Sequence, residues 1–174
     1  MTTANQLTLL RMALIPVFLG VLYAGFPGSR YWALGVFIAA SLTDLLDGYI
    51  ARHYNQITNF GKFMDPLADK VLVLAAMIWF VETGVMPAWA VIIVVARELA
   101  VTGMRLLAAA GGKVIAAGKS GKVKTATTMV CLVVMFFPVP DVVDIICTAL
   151  IVITTVYSGA EYFIQNKALF AGAK

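Results

Sequence analysis

Charge is what this chain has least of. Only 13% of its 174 residues are Asp, Glu, Lys or Arg, about half the share of a soluble domain. That scarcity leaves no room for a separate soluble domain. Histidine and cysteine are almost missing too. His53 stands alone beside Arg52, where it reads as a solvated side chain, and Cys131 and Cys147 both sit in apolar runs. No metal-ligand spacing or disulfide framework can be made from them. They read as small hydrophobes, packed or facing lipid. No basic leader precedes the first apolar run, whose first charge is Arg11, so a cleavable signal peptide is not expected. The net charge of +4 comes without a stacking platform or a basic helix, so no nucleic-acid partner is expected.

What the chain does have is oil. Hydrophobic residues make up 61% of it, more than a core of this size can bury. The remainder must face lipid or lipid-embedded neighbours, so residues 1–174 read as one all-α integral membrane domain. Six apolar segments are expected, near 7–26, 31–53, 60–82, 87–110, 121–138 and 142–164. Each is close to the ~20 residues that cross a bilayer, and runs this long exclude barrel strands. Three breaks carry turn chemistry: FPGSR with Pro27 and Gly28, ETGVMP with Gly84 and Pro87, and FPVPD with Pro138 and Pro140. No internal repeat or low-complexity stretch appears.

Lysine and arginine set the orientation. Arg52, Lys62, Lys113, Lys119, Lys122, Lys124, Lys167 and Lys174 fall on the side of the two termini. The other side has Arg30, with Glu82, Asp141 and Asp144. Both termini are therefore expected in the cytoplasm, beneath the inner membrane.

Four of the nine acidic residues, Asp44, Asp47, Asp65 and Asp69, lie in one stretch between apolar runs. Asp44 and Asp47 are three apart; Asp65 and Asp69 are four apart. Each pair shares a helix face, and the chain reverses between Arg52 and Phe60. Four carboxylates can then converge at the cytoplasmic end. Unscreened, some would have to protonate. Two divalent cations balance them. Hard oxygen donors favour Mg2+ or Mn2+ over zinc, and two such ions form a clamp for displacement at phosphorus. The alternatives are solvated helix ends or an acidic path in a divalent-cation transporter. A transporter would spread its acids through the membrane depth, whereas these cluster at one end. Gly48 and Gly61 clear space beside the carboxylates, or serve ordinary helix packing. Arg52, one turn past Gly48, is placed for a phosphate or for positive-inside anchoring. Pro66 sits early in its segment, where a missing N–H costs little.

Asp44-x-x-Asp47-Gly48-x-x-Ala51-Arg52, eight residues, then Gly61-x-x-x-Asp65-x-x-x-Asp69 resembles the signature of the CDP-alcohol phosphotransferase family at every fixed position. The six-segment layout resembles that family over essentially the whole chain. The resemblance implies attack of an alcohol hydroxyl on a CDP-linked lipid, release of CMP and formation of a phosphodiester. It implies metal ligands at Asp44, Asp47 and Asp65. Asp69 would be the general base and would touch the second metal. Gly48, Ala51, Arg52 and Gly61 would shape the CDP pocket. A homodimer through membrane helices is also implied, with small residues such as Ala75, Ala76, Gly84 and Ala88 permitting close packing.

The fourth segment, AWAVIIVVARELAVTGMRLLAAAGGKV, holds Arg97 near its middle, at a cost of a few kcal/mol. Glu98 and Arg105 are seven apart, nearly one face with Thr102 between them, and one arrangement has Glu98 steadying Arg105. Arg97 and Arg105, with Lys122 at the start of segment five, suit an anionic acceptor; structural ion pairing is the alternative. Lys113, Lys119 and Lys124 read as lysines snorkelling to the membrane edge. ANQLTLLRMALIPVF, ARELAVTGMRLL and GKSGKVKTA resemble the bacterial phosphatidylglycerophosphate synthase branch of the family. That branch uses CDP-diacylglycerol and sn-glycerol 3-phosphate. It implies that Arg97, Arg105 and Lys122 hold the acceptor phosphate. Another acceptor, such as an inositol phosphate, would also want a basic pocket. Asn5, Thr8 and Arg11 recur along a rough helix face and border the nucleotide in this reading; Asn5 as a helix cap is the alternative.

Overall fold

The breaks between apolar runs hold residues that stop helices, and six helices result among the described residues. The computed structural model describes the backbone of residues 3–53, 59–110 and 118–167, and the side chains of 9–43, 67–109 and 118–167. Among the described residues every regular element is helical: α1 (Thr3–Tyr23), α2 (Ser29–His53), α3 (Asn59–Glu82), α4 (Ala88–Ala110), α5 (Lys119–Met135) and α6 (Asp141–Gln165).

Two ends differ from the apolar runs. The first helix stops at Tyr23, not near residue 26. Ala24 N–H donates to the Gly20 carbonyl at 3.0 Å, and Gly25 adopts φ 65°, the left-handed turn that closes a helix. The fifth stops at Met135, not 138. Phe136 and Phe137 N–H groups donate back to Val133 and Val134, tightening the last turn, and Pro138 has no N–H to continue it. His53, the last residue of the second apolar run, is the last residue of α2.

The end of α3 is the best-defined stop. Val85 N–H donates to Phe80 at 2.9 Å, and Gly84 N–H donates to Val81 at 3.1 Å. Gly84 has φ 76°. This pair of bonds is the Schellman closure, which places glycine at the left-handed position.

The chain divides into two compact units, Met1–Ala76 and Met77–Lys174. In the first, α1 packs on α2. Phe18, Leu22, Ala33, Leu34, Phe37 and Ala40 are buried there, with the Phe18 and Phe37 rings 5.9 Å apart. Arg11 is also fully buried.

In the second unit, α6 packs against both α4 and α5. The buried stripe of α6 runs through Cys147, Thr148, Ile151, Thr155, Ser158, Gly159 and Tyr162. Steps of three and four keep these on one face. The α5 stripe is Lys124, Thr128, Cys131, Leu132 and Met135. Both stripes mix hydroxyls with apolar groups, as helices packing inside a bilayer do. Cys131 and Cys147 are buried free thiols, so they are packed rather than lipid-facing. Phe136 stacks on Trp79 at 5.9 Å and meets Phe80 at 4.9 Å, joining the last turn of α3 to the end of α5.

Large apolar side chains remain on the outside. Ile92, Leu99, Leu106 and Leu107 on α4, and Val142, Ile145, Ile146, Ile153, Val156 and Ile164 on α6, are all exposed. Among the described residues, one helix, Asp141–Gln165, is long and apolar enough to cross a membrane. The apolar helix α4 carries Arg97, Glu98 and Arg105 within it, and α5 is only 17 residues long.

Candidate active site

The aspartate stretch occupies the last turns of α2 and the first turns of α3. Asp44, Asp47, Gly48, Ala51 and Arg52 all lie in α2. Gly61, Asp65 and Asp69 lie in α3. Both segments are helical through these positions, so each aspartate pair takes one helix face, as the spacing requires. Asp69 is half-buried. The side chains of Asp44, Asp47, Gly48, Ala51, Arg52, Gly61 and Asp65 lie outside the described residues, as do those of Asn5 and Thr8 in α1. The donor types fit a hard divalent pair: four carboxylates, no nitrogen or sulfur.

The second unit holds a cluster of charges on α4 and α5. Arg97 is half-buried, with its side chain 13% exposed. Its Nη1 donates to Glu98 Oε1 at 2.8 Å. Its Nη2 donates to Ser158 Oγ on α6 at 2.6 Å. Lys124 Nζ on α5 donates to the same Glu98 oxygen at 2.9 Å. One carboxylate thus serves two cations.

Arg105 follows a different course. Its Nε donates to Tyr162 Oη at 3.3 Å, and its guanidinium carbon lies 5.6 Å from the centre of that ring, within reach of cation–π attraction. Tyr162 is itself buried with Val101 and Met104. The rest of Arg105 is exposed, and so is Lys122.

Two expectations are corrected here. Glu98 does not steady Arg105; it binds Arg97 and Lys124, because both cations reach it in the α4–α5–α6 interior while Arg105 turns to the Tyr162 ring. Lys124 is not an edge lysine. Its residue is 5% exposed, held inside by the Glu98 carboxylate. What sequence reading missed is this lysine and the α6 partners Ser158 and Tyr162. Their only signal was the four-residue spacing of two polar groups on an apolar helix. A mostly apolar groove of about 220 Å³, lined by Ser120, Val123, Ile153, Thr154 and Tyr157, contains none of the expected site residues.

A family profile, CDP-alcohol phosphatidyltransferase, matches residues 1–157. The chain belongs to this family. The CDP-alcohol phosphatidyltransferases it resembles include proteins named CDP-diacylglycerol–glycerol-3-phosphate 3-phosphatidyltransferase from three bacteria. The Bacillus subtilis protein is 41% identical, over 93% of each chain. The Rickettsia bellii protein is 33% identical, covering 95% of this chain and 96% of its own. The Escherichia coli protein is 42% identical over 72% of this chain and 71% of its own. The family match spans the aspartate helices and the charged stretch of α4, and stops one residue short of Ser158.

Proposed function

We propose that this chain transfers the phosphatidyl group of CDP-diacylglycerol to sn-glycerol 3-phosphate, giving phosphatidylglycerophosphate and CMP. One observation carries the reading: the complete Asp44-to-Asp69 pattern lies on two helices of a chain whose near-full-length relatives bear the name of that reaction.

The roles divide by chemistry. Asp44, Asp47 and Asp65, with Asp69, would hold two divalent cations, Mg2+ or Mn2+. When bound, these neutralise the pyrophosphate and the charge that develops on departing CMP. Asp69 takes the proton of the acceptor hydroxyl as that oxygen attacks the lipid-linked phosphorus. Gly48, Ala51, Arg52 and Gly61 hold the CDP moiety, bordered by Asn5 and Thr8. Arg97, Arg105 and Lys122 bind the acceptor phosphate. Two observations support a basic acceptor site. Arg97 shares one carboxylate with Lys124 inside the unit, and Arg105 lies against an aromatic ring.

The same reading places residues 1–174 as one membrane domain with six crossings, both termini and the active site on the cytoplasmic side of the inner membrane. Support comes from helix lengths. Five helices have 21–25 residues, and α5, with 17, sits at the lower limit for a span. The exposed apolar faces of α4 and α6 suit lipid. A homodimer through membrane helices belongs to the proposal on the family resemblance.

An acceptor screen tests it. Purified protein in mixed micelles receives CDP-diacylglycerol, Mg2+ and one acceptor at a time, and CMP release is measured. Release with sn-glycerol 3-phosphate is the expected result. Release with an inositol phosphate and none with glycerol 3-phosphate would move the acceptor assignment. Metal uptake into liposomes with no CMP release under any condition would favour a transporter.

A further inference from the structure

We infer that α6 is the positioning element of the acceptor site, with Ser158, Gly159 and Tyr162 setting the directions of the two α4 arginines. The inference rests on the proposed role of Arg97 and Arg105 in holding the acceptor phosphate.

The geometry begins with Gly159. A methyl group built there would lie 3.2 Å from Cγ of Arg97, tighter than ordinary van der Waals contact. The arginine stem therefore passes over α6 at the one place where no side chain stands. One residue earlier, Ser158 Oγ accepts from Nη2 at 2.6 Å, while Glu98 accepts from Nη1. The guanidinium is planar, so two anchors on different nitrogens fix its plane. Two of its five N–H donors are used this way. Its Nε is buried and makes no hydrogen bond.

Tyr162 lies one turn further along the same face of α6. It does for Arg105 what Ser158 does for Arg97, through its hydroxyl and its ring. Ser158 is 1% exposed and Tyr162 is 6% exposed, so neither offers much surface to a substrate. They act through the arginines. A buried serine in a membrane helix has a ready alternative, bonding back to a carbonyl of its own helix, as Thr154 does with Leu150. Ser158 instead accepts a cation from another helix.

The test measures KM for sn-glycerol 3-phosphate and for CDP-diacylglycerol separately, in purified variants. Ser158→Ala is expected to raise the acceptor KM about tenfold, the loss of one hydrogen bond to a charged group. The donor KM should stay within about twofold. Ser158→Thr, which keeps the hydroxyl, should restore most of the loss. Gly159→Val should act like Ser158→Ala, and Tyr162→Leu should raise the acceptor KM while Tyr162→Phe, which keeps the ring, raises it less. On an Arg97→Ala background Ser158→Ala should add nothing, because the group it positions is gone. Equal rises in both KM values, an unchanged acceptor KM in Ser158→Ala, or a full additional loss on the Arg97→Ala background would each overturn the inference. So would an Arg97→Ala enzyme with a normal acceptor KM. Wild-type enzyme that uses a different phosphorylated alcohol would defeat the acceptor assignment alone. The same KM split, measured with that alcohol, then decides the positioning role.

Discussion

The two halves of the proposed site are built by opposite means. The aspartate segment places four like charges at short sequence intervals, on α2 and α3, with Arg52 and Lys62 between them. The arginine segment places its charges on α4 and takes their partners from far along the chain. Ser158 is 61 residues from Arg97, and Tyr162 is 57 from Arg105. The first half carries more acid than base, four aspartates against Arg52 and Lys62. The second sets Arg97 and Lys124 on the Glu98 carboxylate and rests Arg105 against a neutral ring. A site that must release its phosphorylated product benefits from such restraint, since a fully unpaired arginine pair would bind phosphate and keep it.

The largest expected effects test the aspartate half. Chelation of divalent ions should abolish CMP release, and Mg2+ or Mn2+ should restore it. Four carboxylates without counter-ions cannot all stay ionised together. Activity that survives a strong chelator would remove the difference between the halves. Asp69→Asn should keep CDP-diacylglycerol binding and lower kcat by about 10²–10⁴-fold, the range for loss of a general base. An unaltered kcat would leave Asp69 as a ligand only.

The aspartate half was legible in the sequence because its information is local. Residues three and four apart on a helix share a face whatever the tertiary structure does, and α2 and α3 are indeed helical through all four positions. Helix ends were nearly as legible. The glycine at position 84 and the prolines near 87 and 138 mark stops that the backbone obeys. The arginine half was not legible in this way. Glu98 was seven residues from Arg105 and adjacent to Arg97, and helical spacing favoured the distant pair. The structure chose the neighbour, because Lys124 on another helix draws the same carboxylate inward. No periodicity within α4 contains that fact.

The arginine half can be broken by removing the Glu98 carboxylate. Glu98→Gln leaves Arg97 and Lys124 facing each other in a place where both are largely buried. The expected cost is about 3 kcal/mol of stability, the scale for stranding a buried charge. Lys124→Met should cost clearly less, since the Arg97–Glu98 pair survives. Thermal unfolding in detergent gives the order. If the lysine variant is the more damaged, Glu98 is not the hub. A smaller, more selective effect is expected from Arg105→Ala. It should raise the glycerol 3-phosphate KM by roughly 10-fold to 100-fold, the worth of one charge-assisted contact, and leave the CDP-diacylglycerol KM nearly unchanged. Equal shifts in both would erase the division of labour between the two halves.

The smallest effect belongs to neither charge cluster and serves as the control for both. Gly84 closes α3 in the left-handed region, φ 76°, at an exposed turn with nothing within 4 Å of where a side chain would begin. Gly84→Ala therefore meets no steric clash with its surroundings. Its cost is the backbone strain alone, about 1 kcal/mol. Unfolding should shift by that amount and both KM values should hold, because the turn lies at the opposite end of α3 from Asp65 and Asp69. A change in either KM from this substitution would mean that α3 transmits strain from its far end into the metal-binding turns. The aspartate half would then depend on more than local helical spacing.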